Sequence, residues 1–255
     1  MDWAADLIQD PANPKGCAVV MKGQEGAGKG TLVEALGKLM GRHYKHLTQE
    51  EHLTGRFNSH LMDGLLVFAD EVVYGGSKKT AGTLKALVSE RNLMVEKKGV
   101  DVISYRNCAH LAIASNEDWF IPAGPNSRRW FVLDVAGDKA NNRTWFDALH
   151  EQMDNGGYEA MMYELQHREI TSNLKFAPET SLLQLQRAQY QSNDTIVEWW
   201  ARNVDKGEVN VNCLRSDDLD VKWPELVDRT EIFESYEAWC IERKCSLKDI
   251  ASKTA

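Results

Sequence analysis

Gly23-Gln24-Glu25-Gly26-Ala27-Gly28-Lys29-Gly30-Thr31 lies between two segments that give it meaning. The apolar run Cys17-Ala18-Val19-Val20-Met21 leads in and predicts a buried strand, and Leu32 to Met40 leads out as a helix. Strand, glycine-rich loop and helix form a phosphate cradle. The loop's N–H groups point at phosphate oxygens, and the helix N-terminus adds the positive end of its dipole. Glycines are needed where the backbone bends sharply and comes close to the ligand. Lys29 is placed to meet the outer phosphates. The stretch predicts a nucleoside triphosphate site, with ATP cradled by Gly23, Glu25, Gly26, Ala27, Gly28, Lys29, Gly30 and Thr31.

The spacing Gly-x-x-x-x-Gly-Lys-[Ser/Thr] is met at Gly23, Gly28 and Lys29, but Gly30 stands where a hydroxyl normally reaches the magnesium ion. Thr31 follows it. Either Thr31 reaches the α-phosphate side, or carboxylates and water hold most of the Mg2+ shell.

A second apolar run, Leu65-Leu66-Val67-Phe68-Ala69, ends in Asp70-Glu71. A continuous apolar run suits a strand covered on both faces of a parallel sheet, and the carboxyl end of such a strand opens at the ligand crevice. Asp70 is the candidate for the metal shell, with Thr31 beside it, and Glu71 for polarising the attacking water. Phosphoryl transfer needs both tasks. Phe131-Val132-Leu133-Asp134 is a rival that lacks the second acid. Downstream, Leu111 to Ser115 predicts another buried strand ending at Asn116, which is placed to orient water or sense the γ-phosphate. Arg128-Arg129 then precedes a strand from Trp130 to Val135 and offers guanidinium groups for transition-state charge.

Between these pieces, Leu93 to Ile103 has β-branched residues on both sides of Lys98-Gly99 and predicts a hairpin tipped by Lys97 and Lys98. From Lys78 to Arg106 there are seven basic residues against three acids, in a chain of net charge -8. A local basic excess of this kind suits phosphate contacts that do not read sequence. The overall negative charge excludes a surface coated in nucleic acid, though not a basic channel.

The order of phosphate loop, Asp-Glu, lysine-tipped hairpin, Ala-Ser-Asn and Arg-Arg resembles the superfamily 3 helicases, in particular the helicase part of phage and plasmid-type primase-helicases. The resemblance covers Asp2 to Val135 well and the remainder loosely. It implies an AAA+-like P-loop core that assembles as a homo-oligomeric hexameric ring and moves on single-stranded DNA by hydrolysing ATP. Gly28, Lys29 and Thr31 then match Walker A, Asp70 and Glu71 match Walker B, and Asn116 matches the sensor asparagine. Arg128 or Arg129 matches the finger that acts on a neighbouring subunit's nucleotide. In similar phage proteins a primase or polymerase domain lies upstream, so the chain is expected to be a helicase domain of such a protein or a minimal stand-alone version. Two alternatives remain. Gly28-Lys29-Gly30-Thr31 also resembles the adenylate-kinase loop, and a non-helicase AAA+ remodelling ATPase shares the same core.

The 255 residues, 43% hydrophobic, suffice for one large domain or two modest ones. The expected division is an α/β ATPase core over 1–140, a helical extension over 141–192 and a small helical or winged-helix-like module over 193–255. Thr144 to Met153 and Tyr158 to Gln166 predict helices broken at Gly156-Gly157, Glu179 to Gln191 a further helix, and Ile232 to Cys240 an amphipathic one. The five cysteines form no Cys-x-x-Cys pair, and the histidines show no zinc spacing. With no signal segment and no membrane-length apolar run, the simplest expectation is a reducing cytoplasm, that of the host if the protein is phage-encoded.

Overall fold

The structure is a computed structural model, and it describes residues 1–71, 78–124, 127–191, 195–206 and 228–243. Pro125 and Asn126, Trp223 and the rest of 207–227, and the chain end from 244 lie outside the described residues. The chain divides into two compact units, Met1–Arg187 and Ala188–Ala255.

The first unit is mixed α/β. Its strands are β1 (Ala18–Lys22), β2 (Tyr44–Leu47), β3 (Leu66–Asp70), β4 (Asn92–Lys97), β5 (Val100–Arg106), β6 (His110–Ser115) and β7 (Trp130–Asp134). Its helices are α1 (Asp2–Gln9), α2 (Lys29–Met40), α3 (Glu50–Thr54), α4 (Lys78–Ser89), α5 (Arg143–Gln152), α6 (Tyr158–His167) and α7 (Ser181–Gln191), the last running across the boundary between units. Five strands form one parallel sheet in the order β2-β3-β6-β1-β7.

Alternation along the strands builds two cores. Val20, Val67, Ile113 and Val132 face one side with Leu84, Leu87 and Val88 of α4. Val19, Met21, Phe68, Ala112 and Ala114 face the other with Leu7 of α1, Val33 and Leu36 of α2 and Leu165 of α6. The apolar runs read as strands are continuous because both faces are covered. Each large side chain so buried contributes roughly 1.5–3 kcal/mol.

The order of strands positions the site. The chain leaves β1, passes through α2 and reaches the far edge at β2, while β7 lies on the other side of β1. A strand whose neighbours on its two sides connect in opposite directions marks the crevice where parallel sheets bind ligands. Strand β6 sits between β1 and β3, so the strand leading into the glycine-rich loop and the acid-bearing strand are not adjacent.

The hairpin is present as an antiparallel pair, with Gly99 at φ +76 in its turn. Helices α5 and α6 meet at a kink where Gly156 takes φ +95, a backbone conformation glycine adopts without strain. Asn142 caps α5 by accepting from the Trp145 N–H. Residues 141–187 belong to the same unit as the sheet. Asp2 secures this packing by accepting from Arg168 Nε at 2.7 Å and from Ser172 Oγ at 2.6 Å. In the second unit, α8 (Thr195–Lys206) and α9 (Arg229–Glu242) enclose Trp199, Tyr236, Trp239 and Cys240, and the winged-helix-like expectation for this region rests mainly on residues outside the described set.

Candidate nucleotide site

The loop after β1 turns on two glycines in the left-handed region, Gly26 at φ +74 and Gly28 at φ +90. A Cβ on Gly28 would come within 2.8 Å of the Phe146 ring, and one on Gly26 within 2.2 Å of Asn141 Oδ1. The loop is thus closed over by the segment that follows β7, and Asn141 donates its N–H to Gly26 O at 3.1 Å. No side chain caps α2, whose N-cap is Gly28. Apart from the Thr31 N–H, which donates to Gly28 O, the first-turn N–H groups of α2 have no intrahelical acceptors, so this terminus presents donors and a positive dipole end to an anion. Lys29 is buried, and its Nζ donates to Gly23 O at 2.7 Å and Gln24 O at 3.0 Å.

A cleft of about 330 Å3 opens here, lined by Glu25 to Thr31, Glu34, Asp70, Glu71, Phe146 and His150. It brings together the loop and the Asp-Glu pair that the sequence places forty residues apart. Asp70 ends β3, and His46 Nε2 lies 3.2 Å from its Oδ2, orienting the carboxylate from the neighbouring strand. Glu71 takes φ +55 while donating its N–H to Ala114 O at 3.0 Å. A non-glycine residue there is strained by about 1–3 kcal/mol and is held by its surroundings.

Asn116 follows the last residue of β6, on the edge of the sheet that carries the loop and Asp70, but it does not line the cleft. Lys97 and Lys98 are exposed at the hairpin tip, neither in an ion pair among the described residues. The hairpin is braced by Arg56 Nε, 2.6 Å from Glu96 Oε1, and by Asn58, which bonds both Met94 O and the Glu96 N–H.

Arg128 and Arg129 are elsewhere. They precede β7, at the opposite end of the sheet from the phosphate loop, and the five residues of β1 separate the two ends by about 16 Å at 3.3 Å per residue. Both line a second cavity of about 790 Å3 together with Lys15, Arg91, Arg106, Lys175 and Phe176. Lys15 is neutralised by Asp10 at 2.5 Å and Asp6 at 3.4 Å, which raises its pKa chiefly through the Asp10 bond. Arg106 bonds Ala12 O and Asn13 Oδ1, Arg128 lies over the Phe176 ring at 4.9 Å, and Arg129 Nε bonds Ser89 Oγ. None of these three arginines is paired with a carboxylate among the described residues. With Lys15 neutralised, Arg91, Arg106, Arg128, Arg129 and Lys175 against Glu90 leave the cavity net cationic in a chain whose net charge is -8.

Glu34, His46, Phe146 and His150 were not anticipated from sequence. Glu34 carried a signal, since it stands one helical turn after Gly30. Phe146 and His150 arrive from a helix more than a hundred residues later. Among the described residues no group of three or more His, Cys, Asp or Glu side chains converges to hold a metal by itself. Magnesium at a triphosphate does not require such a cage, because phosphates and water fill most of its shell beside one or two carboxylates. No helix among the described residues is long and apolar enough to cross a membrane.

Comparison with known proteins agrees with this architecture. Residues 21–129 match the profile described as "Family of unknown function (DUF5906)". The DNA primase-polymerase of Nitratiruptor phage NrS-1 is 23% identical over 238 residues, covering 89% of this chain and 32% of that protein. The chain therefore spans about a third of the length of the curated relative it matches. The apo structure of the NrS-1 C terminal region (305-718) superposes with a TM-score of 0.66 at 20% identity, covering 93% of this chain and 56% of that one. A second apo form of that region gives 0.65 at 21% identity, with 85% and 54% covered. The fold is shared with that region.

Proposed function

We propose that the chain is the ATP-hydrolysing motor of a phage-type DNA replication system, an AAA+-like domain of superfamily 3 kind that moves single-stranded DNA through a homo-oligomeric ring. The observation that carries the reading is the division of the catalytic set between the two ends of one sheet. The phosphate loop, Asp70 and Glu71 share a cleft at one end, and Arg128 and Arg129 lie in a cationic cavity at the other. About 16 Å of strand separates them, beyond the reach of an arginine side chain within one subunit. Head-to-tail association resolves this, because it sets one subunit's cationic cavity against the next subunit's cleft. A heterologous contact that closes makes a ring. The similarity to a phage DNA primase-polymerase supports a replication role, and in such a protein this segment would work beside a priming domain.

Lys29 and the α2 terminus bind the β- and γ-phosphates of ATP. Asp70 would hold the Mg2+ ion that accompanies the nucleotide, and that ion would neutralise developing charge. Glu71, which lines the cleft beside Asp70, polarises the attacking water. Asn116, just past the end of the intervening strand β6, orients that water once the neighbour closes the site. Lys97 and Lys98 grip DNA phosphates from the hairpin.

The test is ATPase rate with and without single-stranded DNA, alongside particle mass in an ATP analogue. Glu71→Gln is expected to bind ATP yet lose about two or more orders of magnitude in turnover. Protein carrying both Arg128→Ala and Arg129→Ala is expected to regain ATPase on mixing with Lys29→Ala protein. Full activity in a monomer refutes the trans arrangement. AMP phosphorylation without any response to DNA refutes the motor.

A further inference from the structure

The loop departs from the usual spacing at Gly30, where no hydroxyl is available to a metal. The structure places a carboxylate in that region. A Cβ built on Gly30 would lie 3.7 Å from Glu34 Oε1 and 4.0 Å from its Cδ. Glu34 stands one turn further along α2, on the same helix face, and it lines the cleft with Asp70.

Its natural helix partner is turned away. Lys38, four residues on, points to Asp154 Oδ1 at 3.5 Å and lies 4.5 Å above the Tyr158 ring. Glu34 forms no ion pair among the described residues, so its charge is left facing the cleft. The Tyr44 phenol, whose ring packs against Gly37 of α2, has its pKa raised by burial and then by the charges of Glu34 and Asp70. Glu34 of α2 and Asp70 of β3 reach the cleft from different elements and line it together.

We infer that Glu34 replaces the missing hydroxyl as a metal-shell group and, together with Asp70, would hold the magnesium ion of the bound nucleotide. The inference rests on the nucleotide-binding reading of the cleft. It explains why glycine is tolerated at position 30. A serine there would add a short neutral ligand, whereas beside glycine the nearest group is the longer, charged Glu34 side chain. The donor set suits the ion: two carboxylates, phosphate oxygens and water are what magnesium takes beside a nucleotide. Thr31 is released from the metal role, and its N–H lies within the first turn, bonded to Gly28 O at 3.1 Å.

The experiment measures affinity for a fluorescent ATP analogue in EDTA and in Mg2+, and Mn2+ affinity by electron paramagnetic resonance in the presence of a non-hydrolysable ATP analogue. The variants are Glu34→Gln, Gly30→Ser and the double variant. In Glu34→Gln, Mn2+ affinity is expected to fall on the order of ten- to hundredfold. Metal-free nucleotide affinity should hold or rise, because a negative charge beside the triphosphate has been removed. A merely structural role for Glu34 would weaken both. The added Cβ of Gly30→Ser meets Glu34 only at ordinary contact distance, so the double variant should fold and recover much of the metal affinity. If Glu34→Gln keeps the parent's Mn2+ affinity while the parent binds nucleotide, this inference falls and the nucleotide site stands. If the parent binds no nucleotide in either buffer, the nucleotide site itself falls and the inference with it.

Discussion

Replacing Gly28 by alanine tests the geometry of the loop without touching any charged group. Two costs follow from the structure. Gly28 has φ +90, and an L-residue held in the left-handed region costs roughly 1–2 kcal/mol. The new Cβ would also sit 2.8 Å and 2.9 Å from two carbons of the Phe146 ring, closer than packed atoms tolerate. Forcing a methyl into a filled space costs about 1–3 kcal/mol. The sum is about 2–5 kcal/mol, which for a unit of this size lowers Tm by about 4–20 °C. The two costs can be separated. In a Phe146→Ala background the ring is gone and only the backbone cost remains, so a double-mutant cycle should return a coupling of about 1–3 kcal/mol between positions 28 and 146. The assay is thermal and urea denaturation of the four proteins, with nucleotide binding measured alongside. Additive effects would mean that α5 does not close over the loop. An unchanged Tm in Gly28→Ala would refute the left-handed turn itself.

Two other outcomes are expected. Replacing Lys97 and Lys98 together with alanine should leave basal ATPase intact, abolish strand separation and flatten the dependence of DNA affinity on salt, each lost phosphate contact lowering the slope by about 1; an unchanged slope and unwinding rate would remove the hairpin from the DNA path. Asp2 has its pKa lowered first by the Ser172 hydroxyl bond and then by Arg168, so its contribution to stability is full above the ordinary carboxylate value near 3.8 and is lost as pH falls below it; Asp2→Asn should therefore lower Tm at pH 7 and matter progressively less on acidification from pH 4, and an equal loss at both ends would refute the charged bond.

What could be read from the chain and what could not divide along one physical line. The buried strands were legible because covering both faces of a parallel sheet demands continuous apolar runs, and β1, β3, β6 and β7 all have them. The hairpin and the break at Gly156 were legible because turns impose local residue requirements, met at Gly99 and Gly156. Strand β2 was not. Tyr44-Lys45-His46-Leu47 pairs only with β3 at the sheet edge and stays half exposed, so it carries no apolar run, yet it supplies the histidine that orients Asp70. Nothing in the identity of Glu71 signals a left-handed backbone, since that conformation comes from the fold around it. The arginines show the same division on a larger scale. Their place in the sequence gives the expectation of a catalytic role, but only the sheet reveals that they stand at its opposite end, among cations gathered from several segments. A residue pair that order along the chain assigns to a site, and that geometry keeps about 16 Å from it, has two readings: it belongs to no site, or it belongs to a neighbour's. In the proposed ring the second reading holds: arginines unpaired with any described carboxylate would be received by a neighbour's nucleotide, and concentrated positive charge is costly to maintain without such an anion.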